Sequence, residues 1–191
     1  MIPFDSDANY YEIYISNAAS GGGGQAGAKV DGPDGHKSYD IGLSRKDFRN
    51  LLSAIAKSNL NLKPFQKEYK EYIYDDVIVH NYKNTETHVF RHTPICIKQL
   101  DKTCGALLIG YQKNKLTFLN VPSTRNIYDI QYVKKLIFRV NNRIFVNFQS
   151  SVNLNQEKTY TAYINYNHEN NIEQDSVQNN IESLMKVLSL S

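Results

Sequence analysis

Residues 133–149, VKKLIFRVNNRIFVNFQ, decide the fold. Two runs of alternating apolar residues meet at Asn141-Asn142, the pattern of a β-hairpin. Two registers compete. A two-residue Asn-Asn turn has the preferred type I′ chemistry, but it pairs Val140 with Arg143 and mixes polar with apolar side chains on both faces. A three-residue loop, 141–143, pairs Val140 with Ile144 instead. That loop gathers Leu136, Phe138, Val140, Ile144, Val146 and Phe148 on one face. The other face then carries Lys135, Ile137, Arg139, Phe145, Asn147 and Gln149. A slip of one residue exchanges the faces of a strand, so burial favours the three-residue loop.

The same texture extends outward from this hairpin. Strand candidates are 69–79, 87–91, 95–100, 106–111, 116–120, 133–140, 144–149 and 159–166. Turn signals separate them at Asn84, Pro94, Asp101-Lys102, Lys113-Asn114 and Pro122-Ser123. Near the start, residues 10–16 (YYEIYIS) alternate Tyr11, Ile13 and Ile15 against Tyr10, Glu12 and Tyr14. Short strands at this spacing predict a mainly β fold, an antiparallel sandwich or jelly-roll-like domain, rather than βαβ units.

Two helices are expected to pack on the sheet. Residues 44–57 open with Ser44 as N-cap and Asp47 at the N3 position of a capping box, with Leu43 and Phe48 placed as a hydrophobic staple. Phe48, Leu51, Leu52 and Ile55 then fall on one helical face. Residues 176–188 carry a second stripe of Val177, Ile181, Leu184, Met185 and Leu188, capped by Asp175 with Gln178 or by Ser176 with Asn179. Between the first strand and the first helix lies AASGGGGQAGAKVDGPDGHK, residues 18–37. So much glycine holds regular structure only at high entropic cost. The expected organisation is an N-terminal strand (1–17), a Gly-rich flexible arm or loop (18–37) and a single mainly β domain (38–191).

Lys and Arg number 22 against 19 Asp and Glu, a net charge of +3, too balanced to argue by itself for a nucleic-acid binder. The two cysteines, Cys96 and Cys104, make no disulfide framework and read as buried thiols. No apolar run is long enough to cross a membrane as a helix. With no basic-plus-apolar stretch at the N-terminus, a cytosolic or nuclear site of synthesis is expected.

Motifs with chemistry are weak. Gly22 and Gly27 have the spacing of a phosphate-binding loop, but Ala28 stands where its lysine must be, and DGPDG follows where a helix should start. His88, His92, Cys96 and Cys104 are zinc-ligand types, yet four residues of strand span about 13 Å, too far for neighbouring ligands. Asp75 and Asp76 are adjacent, so in a strand they point to opposite faces. No nucleophile elbow is present. The sequence by itself therefore indicates no catalytic residue, no cofactor, no metal site and no enzyme.

Two surfaces could bind partners. Lys134, Lys135, Arg139 and Arg143 lie near Phe145 in the hairpin, and basic residues beside aromatics on a β-surface can bind single-stranded nucleic acid. The same residues also suit a solvated face whose lysines discourage edge aggregation. The tyrosines of YYEIYIS are amphipathic rings of the kind favoured in protein interfaces, and such a strand could add to a neighbour's sheet.

The Asn/Lys/Tyr/Ile-rich usage (NYKNTETH, 81–88; NYNHENN, 165–171), the many short strands and the Gly-rich arm resemble, in composition, minor capsid and structural proteins of nucleocytoplasmic large DNA viruses. That resemblance implies a cement protein of a virion, assembled in the host cytoplasm, whose partners are capsid proteins. The expected function is thus a structural protein–protein component of a large assembly, with Tyr10, Tyr11, Tyr14, Lys135, Arg139 and Phe145 as candidate partner contacts. The alternative is a nucleic-acid-binding β module using the basic hairpin around 134–145.

Overall fold

The computed structural model describes residues 2, 4–5, 7–16, 28–33, 35, 37–60, 62–74, 77–83, 87–101, 106–116, 127, 129–167 and 174–189. The hairpin adopts the three-residue loop. Strand β8 (Asp129–Arg139) pairs with β9 (Ile144–Asn153) through Arg139 and Phe145, and the Val140 N–H donates to the Ile144 carbonyl at 3.0 Å. The Asn141 side chain accepts from the backbone N–H groups of Arg143 and Ile144, which closes the loop. Phe138, Ile144, Val146 and Phe148 are buried, none more than 2% exposed.

The sheet does not form a sandwich or jelly roll. Strands β1 (Tyr10–Ile15), β10 (Lys158–Asn167), β9, β8, β4 (Pro64–Ile73), β5 (Ile78–Tyr82), β6 (Thr87–Asp101) and β7 (Ala106–Leu116) follow one another around a closed antiparallel barrel. The first strand closes the ring. One edge of β1 pairs with β10, Tyr11 opposite Tyr166, and the other with β7, Tyr11 opposite Gly110. Closure satisfies backbone groups that a sandwich leaves exposed at its edges. Several strands are longer than their turn signals implied. Pro94 lies inside β6 beside a register shift, the kind of irregularity at which a strand tolerates a missing N–H. Lys113 and Asn114 continue β7 opposite His92 and Arg91. A break after Ile73 divides the expected 69–79 strand into β4 and β5.

The apolar core lies outside the barrel wall. Helix α1 (Arg45–Lys57) begins where its cap predicts, with Asp47 N–H donating to Ser44 Oγ at 3.1 Å. The Leu43 N–H donates to the Tyr160 carbonyl at 2.8 Å and ties the helix entry to β10. Phe48 then meets Phe148 edge-on, centroids 5.6 Å apart, and also Tyr160 at 5.1 Å. Helix α2 (Gln174–Ser189) adds Val177, Ile181, Leu184 and Leu188 to the same cluster. Tyr11, Ile13, Leu108 and Cys96 reach it from β1, β7 and β6. Gly110 is needed there, because a Cβ on it would stand 2.5 Å from the Cys96 sulfur.

Within the glycine-rich connector, Lys29–Asp31 (β2) pairs with Ser38–Asp40 (β3) as a small hairpin. The tetraglycine run, Asp75-Asp76, Cys104 and the Pro122-Ser123 turn lie outside the described residues.

Candidate functional site: a polar barrel lumen

A side chain on a strand of a closed barrel points either outward or into the lumen, and here most of the residues lining the lumen are polar or aromatic. The lumen encloses a cavity of about 420 Å³, within the roughly 300–1,000 Å³ of small-molecule sites. Strand β1 sends Tyr10, Glu12 and Tyr14 into it, and β4 sends Lys67, Tyr69 and Glu71. His80 and Tyr82 come from β5, His88 and His92 from β6, and Lys113 from β7. On the far side stand Lys135 of β8, Asn147 and Gln149 of β9, and Tyr163 and Asn165 of β10.

The charges sit among aromatic rings. Glu12 is only 8% exposed. Burial pushes its carboxyl above the usual range, opposed by the Tyr14 hydroxyl, which donates to Glu12 Oε2 at 2.5 Å, and by Lys135 and Lys113. The Lys135 ammonium lies 5.4 Å from the Tyr163 ring centroid and 5.9 Å from that of Tyr69. Its burial lowers its pKa, while Glu12 and Glu71 pull the other way. Lys113, exposed overall, stands 4.2 Å above the Phe90 ring, and partial desolvation of its ammonium lowers its pKa. Glu71 Oε2 is 2.7 Å from His80 Nε2. Burial holds that imidazole below its usual pKa despite the carboxylate. His92 stacks on Tyr111, centroids 4.0 Å apart, and its buried Nε2 has no hydrogen-bond partner. Burial, helped by Lys113 and Lys135, lowers its pKa to about 3.

Counting the imidazoles as neutral, three ammonium groups face two carboxylates, so the lumen is net positive and partly desolvated. That suits an oligo-anion whose oxygens accept from several lysines at once. Among the described residues no group of three or more His, Cys, Asp or Glu is placed to hold a metal ion. His88 and His92 face the lumen while Cys96 lies in the core on the opposite side of the wall, so these three residues do not converge.

The residues singled out in the sequence are dispersed. Tyr10, Tyr14 and Lys135 line the lumen, and Tyr11 is fully buried under the helices. Arg139 is exposed and donates to Asn142, and Phe145 is half-buried. The basic hairpin is not one face. Lys134 points outward, its side chain 69% exposed and 3.4 Å from Glu68, while Lys135 points into the lumen. Sequence reasoning passed over Lys67, Lys113, Glu71 and His80. Their one signal was alternation of charged and aromatic residues along single strands, which reads equally as a solvated face.

No protein-family model matches the chain, and comparison with curated proteins finds no match. Solved structures do match. The RNA triphosphatase Pct1 of S. pombe, in complex with the Spt5 CTD, superposes with a TM-score of 0.58 at 7% identity, over 83% of this chain and 72% of that one. The Mimivirus capping enzyme triphosphatase superposes with a TM-score of 0.58 at 7% identity, over 96% and 91%. The RNA triphosphatase domain of a trifunctional mimivirus mRNA capping enzyme gives 0.56 at 8% identity, over 95% and 90%.

The fold is that of RNA triphosphatases. This overturns the compositional resemblance to capsid proteins, the reading as a cement component of a virion, and the expectation of a non-enzyme. Composition does not determine backbone topology, whereas the barrel superposes on RNA triphosphatase structures.

Proposed function

We propose that this chain is a phosphohydrolase that takes the 5′-triphosphate end of RNA into the barrel lumen and removes the terminal phosphate. The observation that carries the reading is the convergence of Lys67, Lys113 and Lys135 with Glu12 and Glu71 inside a closed barrel. The likeness to RNA triphosphatases supports it.

In the proposed reaction a water oxygen bonds to the terminal phosphorus. The bond from that phosphorus to the bridging oxygen breaks, and its electron pair leaves with the diphosphate end. Orthophosphate and a diphosphate-ended RNA result. Such transfer needs mainly positioning and charge stabilisation, which preorganised lysines supply in a desolvated site. The attacking water gives its proton to the Glu71–His80 pair. If His80 Nε2–H donates to Glu71, Nδ1 of the neutral imidazole remains an acceptor. A divalent cation would enter on the phosphates, since Mg²⁺ needs only one or two protein carboxylates beside them, and Glu12 and Glu71 are at hand.

Incubating triphosphate-ended RNA with the chain in Mg²⁺ should release orthophosphate and leave diphosphate ends. Intact triphosphate ends after prolonged incubation would refute the reading.

A further inference from the structure

One end of the lumen is packed with apolar and aromatic side chains. Tyr14 and Tyr163 belong both to the cavity wall and to an apolar cluster with Leu107, Ile109 and Ile41. Ile109 is 0% exposed, and Leu107 and Tyr163 are 5% and 4% exposed. Leu107 and Ile109 lie opposite Tyr14 and Glu12 in the β1–β7 pairing, so they share the lumen-facing side. The β2–β3 hairpin packs Val30 and Tyr39 on this cluster, and the Ile41 N–H donates to the Ala28 carbonyl at 2.8 Å. These buried side chains narrow that end of the lumen along β1, β7 and β10.

The charges are arranged to match. Glu12 is held by Tyr14, and the Lys135 ammonium lies over the Tyr163 ring, so both stand next to the stopper. Lys67, Lys113 and His88 are exposed residues of the same wall and mark where the cavity opens to solvent. We infer that the barrel is a blind socket rather than a through-tunnel. It accepts only the free end of a linear polyphosphate chain, terminal phosphate first, with Lys67, Lys113 and Lys135 along its wall. The inference rests on the polyphosphate reading above and adds to it a restriction to chain ends, with one mouth for entry and release.

Binding stoichiometry tests this without relying on turnover. The full chain is titrated with linear inorganic polyphosphates of short and long mean length, at enough salt to screen contacts on the outer surface. Copies of protein bound per polyphosphate chain are then counted by light scattering. A blind socket binds no more than two copies per chain, one for each end, whatever the length. A copy number that grows with chain length would overturn the inference. If the chain also hydrolyses polyphosphate, the products should be orthophosphate and chains shortened by one phosphate at a time, and fragments cut from the middle would contradict the socket. End-limited binding together with intact triphosphate ends in the RNA assay would sink the hydrolase reading and leave the socket standing; cleavage of internal bonds would do the reverse. No binding of any linear polyphosphate would overturn both.

Discussion

At the residue scale, the account turns on neighbours separated by one peptide bond. Lys134 and Lys135 differ little in sequence context, yet pleating sends one to solvent and the other over the Tyr163 ring inside the barrel. Lys135→Met should weaken tripolyphosphate binding, measured by calorimetry, about ten- to hundredfold, from roughly 1.5–3 kcal/mol for a charge-assisted hydrogen bond. Lys134→Met should leave it unchanged, and equal losses in the two variants would mean that the outer surface does the binding. His92 supplies a second test. Its pKa is lowered from 6.5 to about 3, so the folded chain refuses a proton that the unfolded chain accepts below 6.5. Stability therefore falls as pH drops from 6.5 towards 3, with His80 adding in the same direction. Urea midpoints at about pH 7 and pH 5 should converge for His92→Phe relative to the unmodified chain, and parallel declines would contradict burial of a neutral imidazole.

At the scale of elements, what could be read from sequence was whatever burial dictates locally. The Val140–Ile144 register follows from the need to bury Phe138, Val146 and Phe148 together, and the structure adopts it. The start of α1 follows from Ser44 and Asp47: the Ser44 hydroxyl donates to the Asp47 carboxylate and accepts from the Asp47 N–H. Strand ends were harder to read, because residues such as Pro94 and Asn114 break a local pattern but are tolerated at a bulge or near the mouth of a barrel. Phe138 lies against Phe148 on the face under the helices, centroids 5.9 Å apart. Phe138→Ala should cost about 3–5 kcal/mol in chemical unfolding, and a loss under about 1 kcal/mol would mean that this face is not core.

At the scale of the whole molecule, the decisive contact joins Tyr10–Tyr14 of β1 to Leu107–Tyr111 of β7, far apart in the chain. No local pattern announces that pairing, and without it the polar faces of strands of five to fifteen residues look like solvent-facing surfaces. Closure reverses their meaning. Glu12, Glu71, Lys113 and Lys135 become the lining of one cavity, and the apolar faces turn outward beneath α1 and α2. Compositional likeness to capsid proteins carried no information about this contact, which is why it pointed to the wrong class, whereas the backbone superposes on RNA triphosphatases.

The claim that the lumen is the binding site is most directly tested by lysine acetylation read out by mass spectrometry, with and without tripolyphosphate. Lys67 and Lys113, open to solvent at the cavity wall, should be protected by the ligand, with Lys134 on the outer surface modified equally in both samples. Protection of Lys134 with continued modification of Lys67 and Lys113 would contradict the account.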